Sequence, residues 1–309
     1  MNKATAPFIS IVIPTYNHAH FLGYALQSVL NQTYTNWEVI VVDNHSQDNT
    51  DEVVQQFSDR RIILHKIHNH GVIAISRNIG ILAAKGEWVA FLDSDDLWYP
   101  QKLEITVIEI QKNASIDVFS TDEVVVDEMS NRKRLLKYGP YCQNFYRTLL
   151  IEGNRLSPSA ALVRLDFLKK NKILFRESEE FATAEDYDFW MLLAQADASF
   201  KFIRSVQGEY RIHAINNSNQ IDRHSQAVSN VAKNHTFKLQ TFQYDVNKLW
   251  RKINARLMLA QAKAQFGQNK FVPGFRSLSF AFLSSFSGSL WFIFSRASKS
   301  FINLFKVLD

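Results

Sequence analysis

The chain has 309 residues, 46% of them hydrophobic, and a formal net charge of +5. Such a chain can bury a sizeable core as one large or two smaller domains, and it contains no internal repeat or low-complexity tract. A single cysteine, Cys142, excludes an internal disulfide framework and fits a reducing compartment.

Ile9-Ser10-Ile11-Val12-Ile13 is short, β-branched and followed by Pro14, so it reads as a buried strand. Only this short run follows Lys3, so no secretory signal is expected. Phe21, Leu22, Ala25, Leu26, Val29 and Leu30 recur at helical spacing. Val39 to Val42 is a second buried strand, ending at Asp43. Asp48 to Phe57 reads as a helix, Arg61 to Ile67 as a third strand, Ile75 to Ala84 as a helix stopped by Gly86, and Glu87 to Leu92 as a fourth strand. This alternation implies right-handed crossovers and a mostly parallel sheet. Beyond Asp96 it weakens. Gln101 to Lys112 and Ala184 to Ala196 look helical, Asp117 to Asp127 and Ala160 to Arg164 look like strands, and Phe200 to His213 reads as a strand pair or extended segment. Ile215 to Asp222 reads as a loop, and the rest as helical.

Ligands of parallel sheets lie beyond the carboxyl ends of the strands. Pro14-Thr15-Tyr16-Asn17, Asp43-Asn44 and Asp93-Ser94-Asp95-Asp96 all fall at such ends, so they form one candidate site. Three carboxylates in four residues are costly unless solvated, hydrogen-bonded or neutralised by a cation. A hard divalent ion takes one or two carboxylates and leaves positions for phosphate oxygens, whereas an acidic helix-capping turn is the simpler alternative. Tyr16 offers a ring for stacking on a base, and Thr15, Asn17, Asp43 and Asn44 offer polar edges; each also suits a plain turn. Arg77 is either a partner for phosphate or an exposed helix cation. His65, His68 and His70 fall on opposite faces of an extended segment, which disfavours a joint metal site. Glu185-Asp186 is either a helix-terminal acidic pair or a general base. His213 is a metal or diphosphate ligand or a structural histidine.

Together these residues resemble the family-2 glycosyltransferases. The matching runs are Ser10 to Asn17, Ser28 to Thr33, Trp37 to Asp43, Ser76 to Gly80 and Gly86 to Asp96, in the family's order and spacing. Glu185-Asp186 stands where that family has its second acidic motif. The resemblance implies an α/β GT-A fold, with a Rossmann-like, mostly parallel central sheet flanked by helices. It implies a catalytic domain over 1–213, with a nucleotide-sugar-binding half (1–100) and an acceptor half (101–213), and a helical extension over 214–309. The implied activity is inverting sugar transfer from a UDP- or dTDP-linked donor to a hydroxyl of a glycan or lipid-linked acceptor. Carried over position by position, Asp95 binds Mn²⁺ or Mg²⁺; His213, read from the residues alone, is a candidate further ligand. Asp93 binds the ribose or shares the metal. Pro14, Thr15, Tyr16, Asn17, Asp43, Asn44, Arg77 and Ser94 hold the donor. Asp186 is the base, with Glu185 beside it, and Asp96 caps the following helix. Many members carry an Asp where this chain has Asn44, which leaves the nucleotide base open. A non-catalytic binding module and a nucleotidyltransferase are the alternatives; the latter needs a basic glycine-rich loop that Pro14 to Phe21 lacks.

The charge is unevenly spread. Lys233 to Asp309 holds twelve Lys/Arg and two Asp, a net +10, leaving −5 for the rest. Ser277 to Ser295 runs nineteen residues without a charge and is rich in Phe and Ser. The segment 270–309 therefore suits a helix lying on an anionic membrane surface, with packing on protein or spanning as alternatives. Nucleic acid is not the expected partner. The expected location is the cytoplasm, peripheral on the inner face of the membrane.

Overall fold

The computed structural model describes residues 6–212 and 221–294. Three β/α units and a fourth strand open the chain: β1 (Ile9–Thr15), α1 (Ala19–Leu30), β2 (Trp37–Asp43), α2 (Thr50–Gln56), β3 (Ile62–Lys66), α3 (Ile73–Ala83) and β4 (Trp88–Phe91). There follow β5 (Leu97–Trp98), α4 (Lys102–Lys112), β6 (Val118–Asp127), β7 (Arg132–Leu136), α5 (Phe145–Glu152), β8 (Ala161–Arg164), α6 (Leu165–Asn171), α7 (Glu185–Gln195) and β9 (Phe200–Ile212). The remaining helices are α8 (Ile221–Asn234), α9 (Val246–Gly267), α10 (Phe271–Ser284) and α11 (Phe286–Phe294). The α/β architecture is the expected one, and extended chain over Phe200–Ile212 forms one strand rather than a pair.

The sheet runs β3-β2-β1-β4-β8-β6-β9-β5, with β7 on the outer half of β6. β1, β2, β3 and β4 are mutually parallel where they pair. Beyond β4 the sheet is mixed: β8 runs antiparallel to β4 and β6, while β9 runs parallel to β6 and antiparallel to β5. The physical reason is connection type. Single helical crossovers join the first four strands and keep them parallel, whereas the later strands follow longer and more varied connections that permit reversal. Sequence patterning missed β5, β7, α5 and α6. β7 is an exposed, basic edge strand, Arg132-Lys133-Arg134-Leu135-Leu136, with no alternating apolar face.

Both faces of β1 are covered, which is why it reads as a near-continuous apolar run. Ile9, Ile11 and Ile13 pack with Leu22, Leu26 and Val29 of α1 and with Leu103 of α4. Val12 faces α3 on the other side, where a Cβ built on Gly80 falls 2.2 Å from its Cγ1. Pro14, which has no N–H to donate, lies past Val12, the last β1 residue registered against β4. The register Thr15 to Asp43 brings the ends of β1 and β2 level, and the chain leaves β4 beside them with Leu92 N–H on the Val12 carbonyl at 3.0 Å.

Contacts divide the chain into two units: Met1–Tyr146 with Arg155–Asn216, and Arg147–Asn154 with Asn217–Asp309. Arg147–Asn154 clusters with the second unit although it lies inside 101–213. There Arg147 lies over the Phe242 ring, and Gly153, at φ +100°, receives the Arg256 guanidinium where a Cβ would be.

Gly80→Ala should lower stability by about 1–3 kcal/mol through overpacking against Val12. An exposed helical glycine gives the opposite sign, a gain of about 1 kcal/mol. Urea unfolding of the two proteins distinguishes these outcomes.

Candidate active site

The loops after β1 and β2 are fastened to one another. Asn17 adopts φ +52°, donates its N–H to Ser46 Oγ at 2.8 Å and accepts from Gln47 N–H at 2.7 Å. Asp48 accepts from Ala19 N–H at 2.9 Å and so satisfies the first turn of α1, which has no side-chain cap of its own. Asp43 is fully buried, and its carboxylate accepts from the Ser46 N–H and Oγ–H. Asn44 accepts from Asn69 N–H at 2.7 Å through its amide oxygen, tying the β2 end to the loop before α3. These geometries give Asn17, Asp43 and Asn44 turn-building roles. Asp43 is at 0% exposure with its carboxylate held by Ser46. Pro14 is likewise buried within the strand. Tyr16, by contrast, is half exposed, and Thr15 Oγ1 is buried without a hydrogen-bond partner.

The turn after β4 is pinned from below. Ser159, just ahead of β8, accepts from Asp93 N–H at 3.0 Å and donates to Asp96 Oδ2 at 2.6 Å. Its carbonyl accepts from the Trp98 indole at 2.8 Å. Arg211, near the end of β9, donates its N–H to Asp96 Oδ1 at 2.9 Å and its Nε to the Asp95 carbonyl at 3.1 Å. Its Nη1 reaches the Glu128 carbonyl and Ser130 Oγ, both at 3.1 Å. His18 Nδ1 lies 3.1 Å from Ser94 Oγ. Asp96 is therefore not a helix cap: α4 starts at Lys102 behind Gln101, without a side-chain cap. Asp96 is the buried anchor of the turn, and burial, with Asp95 and Glu123 nearby, pushes its carboxyl well above the ordinary range. Asp93 and Asp95 stay partly exposed above it.

Beneath this turn lies a buried ionic group. Lys102, wholly inaccessible, donates to Thr121 Oγ1 at 2.8 Å and to the Ala160 carbonyl at 3.2 Å. Glu123, also at 0% exposure, accepts from the Tyr138 hydroxyl at 2.7 Å. Burial pulls the Lys102 ammonium down to about 8 against the opposing charges of Glu123 and Asp96. Burial raises the Glu123 carboxyl, with Lys102 holding it back.

Arg77 joins the acidic clusters. At 3% exposure it is no surface cation. One Nη donates to Asp93 Oδ1 at 2.7 Å and the other to Glu185 Oε1 at 2.5 Å. Burial works against its charge, but Asp93 and Glu185, with Asp186 behind them, hold its pKa above the ordinary value. Asn78, next on α3, exchanges two hydrogen bonds with the Phe175 backbone, at 2.7 and 2.9 Å. Phe175 stacks on Phe189 of α7 at 3.9 Å, so α3 positions the helix that carries Glu185. Glu185 Oε2 and Arg77 Nε are buried without hydrogen-bond partners. Such atoms, like Thr15 Oγ1, are what a polar ligand would satisfy. Asp186, in the first turn of α7, is partly exposed.

Among the described residues no three His, Cys, Asp or Glu side chains form a metal-holding group. His213 lies outside the described residues, and His68 stacks on His45 at 3.9 Å. A protein-only cage is thus not built from the described residues. Two partly exposed carboxylates, Asp93 and Asp95, on one turn fit a hard divalent ion shared with phosphate oxygens, which takes only one or two protein carboxylates. Sequence reasoning did not assign Ser159, Lys102, Glu123 or Arg211. The usable signal was chemical: a third carboxylate at a buried strand end needs donors, and Arg211 stood unassigned in Tyr210-Arg211-Ile212-His213.

Residues 10–171, more than half of the chain, match the model of Glycosyl transferase family 2. The chain is 31% identical over 238 residues to the Escherichia coli UDP-Glc:alpha-D-GlcNAc-diphosphoundecaprenol beta-1,3-glucosyltransferase WfgD, covering 77% of this chain and 84% of that one. It is 39% identical over 100 residues to the putative teichuronic acid biosynthesis glycosyltransferase TuaG of Bacillus subtilis, 32% of this chain and 40% of that one. In fold it is similar to the mannosyltransferase PcManGT of Pyrobaculum calidifontis in complex with GDP-Man and Mn²⁺, with TM-score 0.60, 18% identity, and 97% and 81% of the two chains covered. It is also similar to S. aureus TarS 1-349 in complex with UDP-GlcNAc, with TM-score 0.58, 17% identity, and 88% and 90% covered.

The Lys102 pKa lies near 8 folded and near 10.5 unfolded, so between these values the unfolded chain binds the extra proton and stability rises with pH. Chemical unfolding from pH 8 to 10.5 should show a rise of about 3 kcal/mol for the natural chain relative to Lys102→Met. A pH-independent difference would contradict this.

Proposed function

Because the chain belongs to glycosyl transferase family 2, and is thus a glycosyltransferase, we propose that it moves a sugar from a nucleotide-linked donor to an acceptor hydroxyl with inversion at the anomeric carbon. The observation that carries this reading is Arg77, whose buried guanidinium holds Asp93 and Glu185 on its two arms although they lie ninety-two positions apart. That shared partner supports reading Asp93 as donor-side and Glu185-Asp186 as acceptor-side in one site.

In this reading Asp95, with Asp93 beside it and His213 as a further ligand, holds Mn²⁺ or Mg²⁺ together with the donor diphosphate. The ion supplies charge neutralisation on the leaving group. Thr15, Tyr16 and Ser94 line the donor side, with Tyr16 exposed for stacking on the base. The Asn44 oxygen already serves Asn69, so contact with a base falls to its remaining polar positions. The donor is UDP- or dTDP-linked. Asp186 takes the proton from the incoming hydroxyl. Glu185 is less suited to that step, because it is buried and Arg77 holds its carboxylate at 2.5 Å.

The acceptor is a glycan or lipid-linked glycan in cell-surface polysaccharide synthesis. The diphosphoundecaprenol acceptor in the name of the E. coli relative and the teichuronic acid in that of the B. subtilis relative support this class. The chain would then work at the cytoplasmic face of the membrane, with 270–309 toward anionic lipid.

The test is a panel of nucleotide sugars scored for thermal stabilisation and for hydrolysis with and without Mn²⁺ or Mg²⁺. One UDP- or dTDP-sugar should stabilise the protein only with the ion, and EDTA should reverse it. Asp95→Ala should abolish the ion-dependent part. Asp186→Asn should keep donor binding while transfer falls about 10²–10⁴-fold, the usual worth of a general base. Full transfer by Asp186→Asn would remove that residue from the mechanism.

A further inference from the structure

The helices of the second unit pack inside out. Gly274, Ser277 and Ala281 of α10 are buried against α9, while Val272 (82% exposed) and Leu283 (80% exposed) point outward, and Phe275, largely exposed, keeps one edge on Phe266 of α9 at 5.2 Å. A Cβ on Gly274 would lie 2.5 Å from the Phe266 ring, so the small residue sets the helix approach. Ser277 Oγ donates to Gln265 at 2.9 Å, and Asn254 Nδ2 donates to Ser284 at 2.9 Å. In water a helix buries its large apolar residues and exposes its small polar ones. Small residues between helices, polar side chains bonded across them, and large apolar residues outside are the arrangement of helices whose surroundings are lipid.

α11 continues the pattern, with Phe286 and Phe294 exposed. It meets α10 at 115°. At the bend Ser285 Oγ accepts from Gly288 N–H at 3.1 Å and its carbonyl accepts from Ser289 N–H at 2.8 Å, so these amides are satisfied without water. No single helix among the described residues is long and apolar enough to cross a membrane. Fourteen residues of α10 span only roughly 21 Å, against a hydrocarbon core of about 30 Å. The surrounding charge has one sign: residues 246–308 contain ten Lys/Arg and no Asp or Glu. Lys270 stands at the start of α10, and Arg276 lies over the Phe280 ring.

We propose that α10 and α11 form a bent, lipid-facing wedge that enters one leaflet of an anionic membrane, with Lys270 and Arg276 at the phosphate headgroups, rather than crossing it. This deepens the membrane placement proposed above and is independent of the sugar-transfer chemistry. The aromatic and aliphatic side chains supply insertion, and the cations supply the preference for anionic lipid.

The full chain should float with phosphatidylglycerol-containing vesicles and not with pure phosphatidylcholine at low salt. Leu283→Ser/Phe294→Ser should lower partitioning at least about tenfold while thermal unfolding stays unchanged. Val272→Ser/Phe286→Ser should do the same, guarding against a folding artefact in one pair. Lys270→Gln/Arg276→Gln should remove most of the salt dependence. Brominated phosphatidylglycerol should quench fluorescence that Trp291→Phe eliminates. Absence of flotation, or flotation indifferent to both apolar pairs, overturns the proposal. So does a natural chain that is dimeric and becomes monomeric in the apolar variants, which assigns the face to a second copy. Donor hydrolysis in solution, measured on the same variants, separates failure of the wedge from failure of the transferase reading.

Discussion

Arg77 is a guanidinium placed where water cannot reach it, and it stays charged because two carboxylates surround it. Isolated, such a charge would cost several kcal/mol to bury. Paired, it fixes the distance between Asp93, at the end of β4, and Glu185, at the start of α7. Both carboxylates share the one guanidinium, so the two acidic motifs are bound into one electrostatic unit. Asn78 reinforces this one residue later by gripping the Phe175 backbone. A single turn of α3 thus sets both the ion pair and the approach of the helix that carries it.

The turn between β4 and β5 shows the same economy. Asp96 spends its carboxylate inward, on Ser159 and the Arg211 amide, and so leaves Asp93 and Asp95 facing outward. Lys102 supplies compensating charge below, shared with Glu123. Carboxylates this close repel, and burial raises their pKa values. Arg77 beside the turn relieves this stress through Asp93.

Much of this was legible in the chain. β1, β2 and β4 were plain because strands covered on both faces read as unbroken apolar runs. Their ends were plain because carboxylates and amides interrupt those runs abruptly. Arg77 was visible as a residue but not as an ion-pair partner, since helical periodicity does not report what lies across the sheet. Ser159 carried no signal: a serine before a short strand is ordinary until β8 is seen to run antiparallel to β4. β7 and α5 were missed because one is a charged edge and the other an isolated turn-flanked helix.

The sequence by itself determined the parallel alternation, the family and the positions of the acidic clusters, because these depend on local periodicity and on residue order. Tertiary structure alone decided which carboxylates face inward, which guanidinium joins the two clusters, and which side of α10 is turned outward. Those outcomes depend on pairings between residues tens to more than a hundred positions apart, where burial and Coulomb attraction, not local propensity, set the geometry.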